Sequence, residues 1–387
     1  MTKGRRPAET NLGTALGQIE ALAKQNFDVE TGNAILAAAQ RLTAVAPTAG
    51  PGELNAAIGR ICRLVRRIPP PLSVYLALSA GALVEQGGRV DEFADAVVPL
   101  AAEIFEAAAR LAQRVFPEGD KGEAEDAPNA EGLRVGSRVL TPAEARSIGE
   151  SDPRSIGGWQ MLSRAETVAV AATVRSEQAR QAIRSNVTFM AAIESIHRRT
   201  GECRCLSTAL AMLDNEPLLV IHPATVQGFR FVFGGVADNF QLHMLLVDAL
   251  VGGSDGSRSA SPLGGKRPSE EVLGVWRGEG PQQIDESSNG VWNLYQWTAV
   301  DPDGHLGEPD WRRKQHWVWN EGIPADICHF EGVRTLLLGP PAYERSWNTA
   351  RFFDVPEPTF TMTGTLDPGE VRAALARMAA AANAQES

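Results

Sequence analysis

The sequence predicts an α+β protein: an N-terminal all-α helical bundle, an acidic linker and a Trp-rich C-terminal α+β domain. Three observations predict it. Up to residue 116 the apolar residues recur at spacings of three and four, the period of an amphipathic helix. Residues 117–132, "PEGDKGEAEDAPNAEG", are acidic, carry Gly and Pro and have no apolar period, so they cannot bury enough surface to order themselves. Beyond about residue 215 short apolar runs replace the helical pattern, and seven of the eight tryptophans lie between Trp276 and Trp347. The domains read from this are a helical bundle over 1–116, a flexible acidic linker and irregular segment over 117–158, and an α+β domain over 159–387.

In the bundle, "LGTALGQIEALAKQ", "NAILAAAQRLTAVA", "ELNAAIGRICRLVRRI", "LSVYLALSAGALVEQ" and "VDEFADAVVPLAAEIFEAAARLAQRVF" are the helical stretches. "PTAGPG", "PPP" and "GG" separate them, because proline lacks the amide donor and glycine frees the backbone. Pro99 should kink or split the last of these helices. Arg60, Arg63 and Arg67 fall on one helix face, with Arg66 nearby. They read as a solvated stripe opposite Ile58, Ile61, Leu64 and Val65, with an anion-binding patch as the sharper alternative.

Residues 133–158 read as polar and irregular, and 161–200 as one long helix or two nearly collinear ones. "CLSTALAML" suits helix or strand. "PLLVIHP" and "GFRFVFGGV" are strands joined by a turn at 224–227, after which Asp238 or Asn239 caps a helix running to about Val251. Residues 252–268 have the Gly/Ser composition of a surface loop. "VWNLYQWTAV", "QHWVWNEG" and "VRTLLLG" are strand candidates. "TFTMTGTL" alternates as a half-buried strand does. "LDPGEVRAALARMAAAAN" is a helix with Asp367 at its N-cap, Pro368 at the first helical position and Glu370 completing a capping box.

Composition narrows the function classes. The chain has 387 residues, 43% of them hydrophobic and 22% charged, with a formal net charge of −10. An acidic surface makes nucleic acid an unlikely partner, since phosphate backbones are bound by cationic faces. The longest apolar run, near residues 72–84, is too short to span a bilayer, so no membrane partner is expected. The basic N-terminal residues have no apolar run behind them, so they do not read as a signal peptide. Four scattered cysteines do not make a disulfide framework, which places the protein in a reducing cytoplasm.

Common catalytic motifs fail on inspection. "SPLGGKRP" lacks the first glycine and the Ser/Thr of a phosphate loop, and there is no G-x-S-x-G, H-E-x-x-H or G-x-G-x-x-G. Cys203 and Cys205 with His197, and Cys328 beside His329, supply enough N and S ligands for zinc. However, C-x-C is not the usual structural-zinc spacing, and no metal or other cofactor is expected.

Two groups of residues remain as site candidates. His243 falls between Val247 and Leu250 on the apolar side of its helix, as a core histidine or a pocket wall, and His222 ends a strand. Either could work as acid or base with Glu321 or Asp326. The second group is Trp317, Trp319, Asn320, Arg345, Trp347, Asn348 and Arg351. It offers aromatic faces for a ligand and guanidinium groups for an anion. Glu321 should pair with Arg345 or Arg351. The leading expectation is a binding or regulatory protein, with a protein partner at the bundle and a peptide or small molecule at the Trp-rich domain. The alternatives are a hydrolase or transferase using the histidines, and a zinc-stabilised interaction domain.

Overall fold

The computed structural model describes residues 11–25, 28–117, 132–252, 263–264, 266–306, 316–341, 343–354 and 358–386. Most of the expected acidic linker, and of the expected Gly/Ser loop at 252–268, lies outside the described residues. The protein is α+β, and the chain divides into two compact units, Met1–Leu210 and Ala211–Ser387.

The first unit begins with α1 (Leu12–Leu22), α2 (Val29–Val45), α3 (Pro51–Val65), α4 (Leu72–Glu85) and α5 (Asp91–Val115), where the periodicity placed them. Asn11 and Asp28 cap α1 and α2 by accepting the amides of Thr14 and Thr31. Of the two outcomes expected at Pro99, the split does not occur: α5 runs unbroken through it. The helix is held along its length by α3, α7 and α9, and that packing offsets the missing hydrogen bond.

The segment 133–158 is not irregular. β1 (Leu133–Val135) and β2 (Arg138–Leu140) form a hairpin, and α6 (Pro142–Ser151) starts at a capping box in which Thr141 and Glu144 satisfy each other's amides. The stretch read as one or two helices is three: α7 (Pro153–Thr173), α8 (Glu177–Ser185) and α9 (Val187–Thr200). Ser176 and Asn186 break it, because their side chains accept the amides of Ala179 and Phe189 and so act as N-caps. "CLSTALAML" supplies α10 (Arg204–Ala211).

The expected boundary at 117–158 is therefore not where the units divide. α7 lies along α5, Phe105 of α5 stands edge-on to Phe189 of α9 at 5.2 Å, and the Trp159 Nε1–H reaches the Arg134 carbonyl at 2.7 Å. A polar interruption in the sequence separates these helices along the chain but not in space.

The second unit is built on a mixed sheet. β3 (Glu216–His222) and β4 (Gln227–Gly234) pair antiparallel. α11 (Asn239–Leu250) and α12 (Glu270–Arg277) follow, then β5 (Gln283–Asn289) and β6 (Asn293–Gln296). After them come β7 (His329–Phe330), β8 (Val333–Gly339), β9 (Ser346–Ala350), β10 (Thr359–Leu366) and α13 (Pro368–Glu386). The strand order is β10-β4-β3-β8-β6, with β7 against β8 and a separate β5–β9 ribbon. β3–β8 is the parallel pair.

Leu218, Val220, Leu336 and Leu338 point to the α11 side, and Leu219, Ile221 and Leu337 to the α13 side. Covered on both faces, β8 is buried from Thr335 to Gly339, as its unbroken apolar run implies. α13 starts as read, with Asp367 Oδ1 accepting the Glu370 amide and Glu370 Oε2 accepting that of Asp367. "QHWVWNEG" is not a strand: residues 319–322 turn back on themselves, and the Gly322 amide bonds to the Trp319 carbonyl.

Candidate functional site

Within the second unit, the start of α11 organises the residues read as site candidates. A helix start leaves backbone amides without partners. Here Asp238 accepts the Gln241 amide at 2.8 Å, and the turn 319–322 takes the two amides before it. The Asn239 amide bonds to the Gly322 carbonyl at 2.9 Å, and the Phe240 amide to the Asn320 carbonyl at 3.1 Å. The Asn239 side chain closes the clamp, its Nδ2 donating to the Trp319 carbonyl at 2.8 Å. Gly322 is what lets the turn come this close, since a Cβ there would lie 3.1 Å from the Trp319 carbonyl oxygen and 3.2 Å from Asn239 Nδ2. Burial pushes the Asp238 carboxyl up to about 6, against the lowering effect of the amides it accepts.

The clamp presents an aromatic ledge. Tyr295 and Trp317 have ring centroids 5.1 Å apart, and Trp317 stacks on Trp319 at 6.2 Å and 26°. Trp319 is 54% exposed although its stacking partner and its own turn are anchored. Beside it, Asn239 and Asn320 are 1% and 4% exposed, and the Oδ1 of each has no hydrogen-bond partner. Buried amide oxygens normally have one. The arrangement is a flat, exposed apolar face on a turn whose two buried amide oxygens have no partner.

On the next turn of α11, Phe240 packs against Trp347 at 5.1 Å, and His243 lies 5.5 Å from Trp347 and 6.0 Å from Trp292. His243 is completely buried, and its Nε2 accepts the Val291 amide at 3.0 Å. The neutral ring therefore carries its proton on Nδ1. Burial, and then the nearby Arg345 guanidinium, push its pKa down to about 3. A histidine so held cannot exchange protons with a substrate, so the catalytic assignment of His243 is corrected to a core role.

The other acid–base candidates do not assemble either. His222 is half-buried, with its pKa lowered by burial, and its Nδ1 lies 2.7 Å from Thr225 Oγ1 in the turn after β3. Glu321 and Asp326 are exposed, and neither bonds to a histidine among the described residues. Glu321 makes no ion pair with Arg345 or Arg351, contrary to expectation. In water its charge needs no partner.

Each arginine serves the main chain. Arg345 Nη2 donates to the Trp292 carbonyl at 2.9 Å. Arg351, 4% exposed, donates to the carbonyls of Val275, Gly280 and Asp354, so it ties down the end of α12 and is not available to a ligand. Trp347 is half-buried under Phe240, while Asn348 is exposed on β9. Of the residues read as ligand-binding, the structure thus groups Trp317, Trp319 and Asn320 at the ledge. Trp347 and the two arginines are placed in packing roles.

Zinc ligation finds no support. The Cys203 thiol is buried and its pKa raised by that burial, Cys205 and Cys328 are exposed, and His197 Nδ1 lies 3.0 Å from the Glu202 carbonyl. Among the described residues, the ligand-type side chains that come within reach of one ion are Asp301, Asp303 and His305, with no cysteine among them. No helix among the described residues is long and apolar enough to cross a membrane.

Sequence reasoning named Asn239 only as an alternative cap and missed the clamp. "VADN" marks the cap locally, but the carbonyls that satisfy the first two amides of α11 lie some 80 residues away in sequence. No protein-family model matches the chain, and comparison with curated proteins and with solved structures finds no match.

Proposed function

We propose that this is a binding protein, whose second unit takes a peptide or small molecule on the Trp319 ledge and whose helical unit meets a protein partner. The observation that carries the reading is the exposed Trp319 face, stacked on Trp317 and carried on a turn clamped to the start of α11. A large aromatic face gives contact area at little entropic cost. The ligand that fits has a flat apolar or aromatic part, as a peptide with an aromatic side chain or an aromatic amide does. The acid–base candidates instead make structural contacts or stand alone at the surface, which favours binding over catalysis. The four cysteines are free thiols, which fits a reducing compartment such as the cytoplasm.

Mass spectrometry of the natively purified protein tests this. A peptide or small molecule should co-purify with the wild type and be lost from Trp319→Ala. Equal retention by both proteins contradicts the reading.

A further inference from the structure

We propose that the first unit holds a site for a polyphosphate chain, in the groove between the end of α1 and the end of α3. It lies in the helical unit and does not depend on the Trp319 ledge. Lys24 comes from the turn after α1, Arg60 and Arg63 from α3, and Arg66 and Arg67 from the turn that follows. Together with Glu20 they line a cavity of about 820 Å³. Five cations and one carboxylate leave four positive charges at the groove, on a chain whose formal net charge is −10.

The groove is built. Glu20 takes Arg60 in a two-point grip, Nε at 2.8 Å and Nη2 at 2.6 Å, which fixes that guanidinium and leaves Nη1 uncommitted. Arg60 chiefly, with Arg63 and Lys24 adding, holds the Glu20 carboxyl below its ordinary range, so these charges share one small space. Among the described residues, Lys24, Arg63, Arg66 and Arg67 have no carboxylate partner. Half-buried Leu64 and buried Ile68 form an apolar part of the lining.

The bland alternative is a solvated stripe that answers the negative end of α3. It accounts for too little. The C-terminal end of a helix carries roughly half a negative charge, and Glu20 is already spent on Arg60. Meanwhile Arg63 faces Arg60, Arg66 and Arg67 at spacings of three and four, each such like-charge pair costing about 0.2–0.5 kcal/mol. A stripe kept only for solubility would be interleaved with acids, as elsewhere on this chain. Four unanswered cations around a concavity instead match a compact anion with about four negative charges, and guanidinium forks fit phosphate oxygens. The volume lies in the usual range for small-molecule sites, roughly 300–1,000 Å³. A long nucleic acid would meet the acidic surface beyond the groove, so a small phosphate compound is favoured over RNA.

Calorimetric titration of the full chain with sodium tripolyphosphate tests this, beside ATP, adenosine and a single-stranded oligonucleotide. Tripolyphosphate should bind one-to-one, more weakly as salt rises, and Arg63→Gln/Arg67→Gln should weaken it about tenfold or more, given the strength of charge-assisted hydrogen bonds. Both arginines are exposed, so the variant's melting temperature should hardly move. ATP binding more tightly than tripolyphosphate identifies a nucleotide as the source of the phosphates, and equal affinity identifies free polyphosphate. Either result supports the site. Adenosine binding as well as ATP overturns it. So does an affinity for the oligonucleotide that grows with its length and exceeds that for tripolyphosphate, or the absence of tripolyphosphate binding at millimolar concentration.

Discussion

His243 accepts the main-chain amide of Val291 on its Nε2 at 3.0 Å, from a ring with no exposure to solvent. That bond, with Trp292 and Trp347 packed near the ring, fixes residues 290–292 and β9 against α11. His243→Ala removes a ring packed near two tryptophans and leaves the Val291 amide without its acceptor. We expect a loss of about 2–4 kcal/mol in urea unfolding. A loss below about 0.5 kcal/mol, typical of surface substitutions, contradicts the core role.

Stability should respond to pH through two groups of opposite sign. Burial lowers His243 from 6.5 to about 3, so on acidification the unfolded chain takes up this proton first. The contribution is complete above pH 6.5 and lost as pH falls towards 3. Burial raises Asp238 from 3.8 to about 6, so its contribution is complete below 3.8 and lost as pH rises through 6. Between pH 7 and 5 each term is worth roughly 1–2 kcal/mol, and they oppose each other. Asp238→Asn keeps an acceptor at the cap and removes one term. Relative to wild type, the variant should gain stability at pH 8 and lose roughly 1–2 kcal/mol of that advantage by pH 5. Parallel stability curves for the two proteins contradict the burial of Asp238.

The division after Leu210 rests on α5 and α7 packing closely. Gly158 marks the closest approach, since a Cβ there would lie 2.6 Å from the Ala107 Cβ and 3.0 Å from the Ala108 amide nitrogen. Gly158→Ala should force the helices apart and cost about 2–3 kcal/mol, measured by denaturant unfolding. A neutral or stabilising effect, as expected of Gly→Ala in an unconstrained helix, contradicts this packing.

Arg351 separates a structural from a binding role. Its guanidinium serves the carbonyls of Val275, Gly280 and Asp354 from a buried position, where desolvation lowers its pKa. Arg351→Met should cost about 2–4 kcal/mol by leaving those acceptors unpaired, while the ligand retained at Trp319 is unchanged in the fraction still folded. Unchanged stability with lost ligand would return Arg351 to the site.

Local signals in the sequence survived folding, and non-local ones did not. The Asp367 capping box, the Asp238 cap and the both-faces-apolar β8 were legible because each is decided by neighbouring residues. Ser176 and Asn186 were not read as breaks. A hydroxyl or amide in a helical pattern can face solvent or cap a new helix, and only the surrounding packing decides which. "HWVWNEG" has the composition of a strand, yet its carbonyls are taken by the amides of α11. The Glu321–Arg345 pairing failed because it assumed a dry environment, and Glu321 lies in water. At the ledge, Trp317, Trp319 and Asn320 were found by residue type. Asn239 was read only as an alternative cap to Asp238, because its part in the clamp depends on a turn far along the chain.

The central claim, that Trp319 forms the ligand face, is tested most directly by following the tryptophan indole N–H resonances during titration with capped aromatic dipeptides. Trp276 is the internal control: it is 1% exposed and donates to Ser288 Oγ at 2.8 Å. The Trp319 resonance should move saturably while that of Trp276 stays in place, and the response should vanish in Trp319→Ala. An unmoved Trp319 resonance, or saturable shifts that persist in Trp319→Ala, would contradict the account.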